Sequence, residues 1–140
     1  MNQDYFCNCL YFSANRLSRI MNKMAEEEFA PIGLSPTYAF LIMAVMDQPG
    51  INQKELSGRL HIAPSTSTRF VDKLVAKQII ERKSEGKLVY IYPTKKTAPI
   101  HEQIKTCWHN LLLRYNAVLG EEQGNQLTEM IHHANEKLKR

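Results

Sequence analysis

Apolar and polar positions along the chain alternate with two different periods, and their boundaries divide it into seven stretches. From residue 5 to about 29, Phe6, Leu10, Leu17, Ile20, Met21 and Met24 recur at three- and four-residue spacing, between Arg16, Arg19, Lys23 and Glu26 to Glu28. That period predicts one long amphipathic helix, whose apolar face needs a distant partner or a second subunit. Pro31-Ile32-Gly33 ends it. Ser35 is then placed to cap a helix over 36–47, with Pro36 at the first position, where a missing N–H costs nothing. This helix is apolar nearly all round and reads as the buried centre of the domain, stopped by Pro49-Gly50.

Asn52-Gln53-Lys54-Glu55 resembles a capping box and opens a short helix to residue 60, with Leu56 and Leu60 inward. His61-Ile62-Ala63 forms a turn, and Pro64 starts a further helix to residue 77. At 100° per residue, Ser67, Phe70, Val71 and Leu74 share its inward face. Ser65, Thr68, Arg69 and Asp72 lie opposite, flanked by Thr66 and Lys73. Four hydroxyl residues in a row propagate helix poorly, and the outward face lacks the Glu/Lys pairs of an ordinary surface helix. Short hydroxyls let a backbone approach a partner closely, and Arg69 can reach guanine N7 and O6 in a major groove. Ala63 is a poor N-cap, so this helix start needs another acceptor, such as a phosphate oxygen.

The β-rich runs 79–83 and 88–92, joined by Ser84-Glu85-Gly86-Lys87, predict a hairpin with a tight turn at Glu85-Gly86 and Lys83 and Lys87 at its tip. Two helical stretches follow. The first, 99–119, carries Ile104, Trp108, Leu111, Leu112 and Tyr115 on one stripe and ends at Gly120. The second, 121–138, carries Leu127, Ile131 and Leu138. The expected architecture is mainly α with a small β-hairpin wing. It is a winged helix-turn-helix flanked by N- and C-terminal helices suited to an intertwined dimer interface.

Charge sharpens this picture. The 140 residues carry a net +4, but residues 51–97 hold ten Lys/Arg against four acids, a local +6, while the remainder is −2. A basic middle between mildly acidic flanks is the electrostatic footprint of a polyanion partner. The longest apolar run, 39–46, is far short of a membrane span, and Met1-Asn2-Gln3-Asp4 does not read as a secretory start. Three cysteines without C-x-x-C spacing point to a reducing cytoplasm rather than a disulfide framework.

The helix pair, the hairpin and their flanks together resemble the MarR family of bacterial winged helix-turn-helix regulators. The resemblance rests on Gly33-Leu34-Ser35, on Gln53-Lys54-Glu55-Leu56-Ser57, on the run Ser65-Thr66-Ser67-Thr68-Arg69-Phe70-Val71-Asp72-Lys73-Leu74, and on Ile80-Glu81-Arg82. It spans essentially the whole chain as a single domain, 1–140. It implies a DNA-binding lobe at 34–97 and dimerisation helices at 5–30 and 98–140. It also implies a cytoplasmic homodimer on a pseudo-palindromic double-stranded operator, usually a repressor, released by a small aromatic ligand or by thiol oxidation. Ser65, Thr66, Thr68, Arg69 and Lys73 are the expected groove and phosphate contacts, with Arg82, Lys83 and Lys87 on the wing. The wing departs from the family pattern. The Asp-x-Arg expected at its tip is absent, and the following Thr-x-x-Gly is Thr94-Lys95-Lys96-Thr97.

Cys7-Asn8-Cys9-Leu10-Tyr11 is similar to the start of the OhrR-type peroxide-sensing branch, in which a reactive cysteine lies four residues before a tyrosine. Cys7 and Tyr11 match that spacing; the second tyrosine expected later is replaced by Arg19-Ile20-Met21-Asn22. A thiol near a helix N-terminus is acidified and oxidisable. Equally, Cys7 and Cys9 serve as small apolar residues at an interface. Tyr11, Tyr38, Met43 and Trp108 are candidate ligand-pocket residues or core.

Cys107 with His101 or His109, and His132-His133, lack helical spacing for shared ligation, so no metal or cofactor is expected. Two other classes remain: a winged-helix protein-interaction module without DNA, and an enzyme built on Cys107. No nucleophile motif, metal spacing or glycine-rich phosphate loop supports the enzyme.

Overall fold

The computed structural model describes residues 4–139. Helices α1 (Tyr5–Asn8) and α2 (Leu10–Phe29) are followed by a 3₁₀ turn (Ala30–Ile32) and helix α3 (Pro36–Asp47). Strand β1 (Ile51–Asn52), helix α4 (Gln53–Leu60) and helix α5 (Pro64–Ala76) come next, then the hairpin β2 (Ile80–Glu85) and β3 (Leu88–Pro93). Helices α6 (Thr97–Leu119) and α7 (Glu121–Leu138) close the chain. No single described helix is long and apolar enough to cross a membrane.

The core sits where α3 meets α4, α5, the sheet and α6. Ala39, Leu41, Ile42 and Val45 of α3 are buried with Leu56, Val71, Leu74, Ile80, Ile91 and Ile104. The all-round apolar pattern of α3 therefore has its expected consequence: this helix is enclosed. Around it, α2 packs on α6, and α6 on α7.

Several local expectations change. The single helix expected over 5–29 is broken at Cys9, whose backbone is extended (φ −100°, ψ 119°). Asp4 caps the first four-residue segment by accepting from Phe6 N–H at 3.0 Å. With both ends of that segment fixed, Cys7 and Tyr11 fall in different helices. Ser35 stands at the N-cap of α3 with extended backbone, but its hydroxyl makes no capping bond. Pro36 at the next position leaves one fewer donor to satisfy.

At α4, Asn52 accepts from Glu55 N–H at 2.8 Å. The Glu55 carboxylate bonds back to the Asn52 side-chain amide. Ile51 and Asn52 meanwhile pair with β3 (Ile51 opposite Ile91, Asn52 opposite Tyr90), a third strand that two residues cannot announce through periodicity. The sheet order is β1-β3-β2.

The wing turn lies one residue later than expected. Glu85 pairs with Leu88, leaving Gly86-Lys87 as a two-residue connection with Gly86 at φ 63°. Glycine at the first central position is what such a turn demands. Helix α6 starts at Thr97, ahead of Pro99. Its inward stripe is Ile104, Cys107 and Leu111, whereas Trp108 stays at the surface, edge-on to Phe40 at 5.1 Å.

Candidate nucleic-acid interface

The turn between α4 and α5 sets the geometry. His61 adopts the left-handed region (φ 55°) and its N–H bonds back to Gly58 O, ending α4 abruptly. Ala63 then opens α5 with extended backbone and no side-chain cap, and Pro64 occupies the first turn. Helix α5 therefore begins with backbone N–H groups that no side chain satisfies, a natural seat for an anion.

Its inward face is Ser67, Val71 and Leu74, all buried, with the Phe70 ring tilted at 42° against Tyr38, centroids 4.5 Å apart. Its outward face carries Ser65, Thr68, Arg69, Asp72 and Lys73, all exposed, and Thr66 is half-buried. These outward residues do not have equal freedom. Ser65 and Thr66 make no side-chain hydrogen bond among the described residues. The Thr68 hydroxyl accepts from Gln53 Nε2 at 2.5 Å and donates to Pro64 O at 2.9 Å. Arg69 lies 5.6 Å over the Phe70 ring and has no carboxylate partner among the described residues.

The three wing cations separate in the same way. Arg82 is held at 2.5 Å by Asp72 of α5, so its charge is neutralised within the protein. Lys83 pairs across to Tyr90 in the ladder and holds its ammonium 5.0 Å from the Tyr92 ring, well short of the tip. Lys87 is in the turn itself. Of the ten cations in 51–97, Arg59 (to Asp47, 2.7 Å) and Arg82 have ion pairs among the described residues. The other eight have no ion pair among the described residues and outnumber the remaining acids of the segment, Glu55, Glu81 and Glu85, which leaves it net positive.

The base of the wing is pinned where the family-like Thr-x-x-Gly pattern is altered. Thr97 is fully buried. Its hydroxyl accepts from Thr94 N–H at 2.8 Å and donates to Ile79 O at 2.5 Å. Thr94 donates to Gln78 O at 2.8 Å. Together these ties join the end of α5 to the start of α6. Thr97, where the family-like pattern has glycine, is thus a buried anchor, a role that no periodicity within one element encodes.

A cleft of about 520 Å³ opens between α3, α4 and the start of α6, lined by Phe40, Met43, Met46, Asp47, Arg59 and His101. Of the four candidate pocket residues, Met43 lines this cleft, while Tyr38 packs on Phe70. Trp108 lines a smaller apolar hollow of about 190 Å³ among α2, α6 and α7, and Tyr11 is 79% exposed. Cys7 is exposed, Cys9 half-buried and Cys107 buried. Burial, and after it the Glu28 carboxylate, pushes the Cys107 thiol up, so it stays protonated at neutral pH. Among the described residues no three His, Cys, Asp or Glu side chains are grouped to hold a metal ion.

The model of the MarR family matches residues 34–85, which span α3 through the first wing strand. Over those residues the winged lobe is similar to the MarR family. No curated protein sequence matches the chain. The fold of the whole chain is similar to that of solved transcriptional regulators. The transcriptional repressor CouR bound to a 23-mer DNA duplex superposes with TM-score 0.88 at 17% identity, covering 96% of this chain and 97% of that one. PcaV from Streptomyces coelicolor, in complex with its natural ligand, gives 0.86 at 16% identity, covering 99% and 100%. The S. aureus MepR–DNA complex gives 0.81 at 15% identity, covering 93% and 98%.

Proposed function

We propose that this chain is a homodimeric, cytoplasmic DNA-binding transcriptional regulator, a repressor that leaves a pseudo-palindromic operator when a small aromatic ligand binds or a thiol is oxidised. The chain acts as one unit, 1–140, with 34–97 reading DNA and 5–30 and 98–140 forming the dimer. The observation that carries the reading is the uncapped start of α5, beside free Ser65, Thr66, Arg69 and Lys73 in a MarR-type lobe. Backbone amides and Lys73 take phosphate oxygens, and Arg69 takes a guanine edge. Similar folds in complex with DNA and with ligands support the same assignment.

Exposed apolar side chains on the flanking helices, including Phe6, Leu10, Ile20, Val118 and Ile131, support a second copy as the partner of α1, α2, α6 and α7. The cleft beside Arg59 is of ligand size, joins the reading lobe to α6, and is the proposed effector site. Cys7 with Tyr11 is the proposed oxidant-sensing alternative. No residue is assigned a catalytic role.

The test is selection of duplexes from a random-core library by the purified protein, followed by sedimentation of the complex. The reading expects an enriched inverted repeat bound by two chains. A protein that retains no duplex at 50 mM salt is instead a winged-helix interaction module.

A further inference from the structure

The hydroxyls along α5 differ in what they have left to offer. A threonine hydroxyl carries one proton and two acceptor lone pairs. In Thr68 the proton goes to Pro64 O, four residues back, at 2.9 Å, the usual back-bond of a helical threonine. One lone pair is taken by the Gln53 amide at 2.5 Å, reaching across from the first turn of α4. These two bonds fix the side-chain rotamer. They also remove its ability to donate to the N7, O6 or O4 acceptors that dominate a major-groove edge.

The residue is nevertheless exposed, at the centre of the outward face, one position before Arg69 and three after Ser65. Left outside these two hydrogen bonds are its methyl group and one acceptor lone pair, which only a base amino group could use. The only apolar feature a base pair presents in the major groove is the 5-methyl of thymine.

Resting on the DNA-reading function proposed above, we infer that Thr68 is a specificity-determining residue that recognises a thymine methyl through its own methyl group, held in place by Gln53. Ser65 and Thr66, whose hydroxyls are free, remain hydrogen-bonding contacts. The sequence alone ranks all three as equivalent hydroxyls; the Gln53 bond separates them.

The experiment uses the full chain and the duplex it enriches from a random-core library. Each thymine is replaced singly by deoxyuridine, which deletes the methyl and keeps base pairing. Wild-type protein loses affinity by roughly fourfold at one thymine per half-site, the worth of about one buried methyl group. Thr68→Ser, which keeps both hydrogen bonds and removes the methyl, binds the thymine and deoxyuridine duplexes equally. Thr68→Val, which keeps a methyl and removes the hydroxyl, retains the discrimination. The inference is overturned if no single deoxyuridine affects wild-type binding. It is equally overturned by the opposite pattern, in which Thr68→Ser keeps the discrimination and Thr68→Val loses it, because the hydroxyl then does the reading. Circular dichroism melting of both variants checks that they fold. If wild-type protein enriches no duplex at all, the DNA-reading function itself fails, and that outcome is distinct from both of these.

Discussion

The Arg82 guanidinium on β2 lies 2.5 Å from the Asp72 carboxylate on α5, so the wing and the helix proposed to enter the groove are joined by an exposed charge pair. Both partners are substantially exposed (37% and 51%), which limits the contribution of the pair to stability to well under about 1 kcal/mol. Its consequence lies in binding. Arg82→Ala should weaken binding by leaving the Asp72 carboxylate unpaired, but flatten the slope of log affinity against log salt less than Lys87→Ala, which should flatten it by roughly one. Asp72→Asn should steepen it, by freeing Arg82 for a phosphate. Fluorescence anisotropy across a salt series measures all three.

Thr97 tests the anchor at the wing base. Thr97→Val keeps the volume but orphans the Thr94 N–H and leaves the Ile79 carbonyl only the longer bond from the Thr94 hydroxyl at 3.1 Å. Leaving a buried polar group unsatisfied costs about 1–3 kcal/mol. Urea unfolding should show a loss in that range with an unchanged m-value. A variant as stable as wild type would mean that water or a shifted backbone replaces the hydroxyl.

Gly124 tests the packing of α6 on α7. A Cβ there would collide with Asn116 Oδ1, a buried oxygen with no hydrogen-bond partner among the described residues. Alanine in a helix interior is ordinarily favoured over glycine by roughly 1 kcal/mol. Gly124→Ala requires the Asn116 carboxamide to swing aside, so its gain should fall short of that figure, and Asn116→Ala in the same chain should restore the full gain, giving a clear coupling in a double-mutant cycle. Additive effects would contradict the contact.

The cysteines are separable by exposure. Cys7 should react quickly with a thiol reagent in the folded protein, and Cys107 slowly, because burial and Glu28 keep it protonated. If Cys7 is the oxidant sensor, Cys7→Ser should keep DNA binding and lose its sensitivity to organic peroxide; unchanged sensitivity in the variant removes Cys7 from the account.

What the sequence revealed and what it concealed follow from the range of the interactions involved. Helices α3, α5 and α6 were legible because their apolar positions repeat over three or more turns, and the inward face of α5 emerged as expected at Ser67, Val71 and Leu74. The break at Cys9 was not legible, since apolar residues continue on both sides of it and only the local cap at Asp4 marks it. Strand β1 depends on a partner forty residues away, at Ile91. The same limit applies to the site. Residue type nominated Ser65, Thr68, Arg69 and Arg82 together. The commitment of Thr68 to Gln53 and of Arg82 to Asp72 arises from contacts between separate elements, which no spacing within one element encodes.

The central claim is that the free cations and hydroxyls of α5, with Lys87 on the wing, read duplex DNA. Its most direct test is the affinity of wild-type protein and of a variant carrying both Arg69→Ala and Lys87→Ala for one enriched duplex and for an unrelated duplex. Removing a base-reading arginine and a phosphate-contacting lysine should weaken binding to the enriched duplex by at least about 1–3 kcal/mol and shrink its advantage over the unrelated one. A double variant that binds the enriched duplex with wild-type affinity and selectivity would contradict the account.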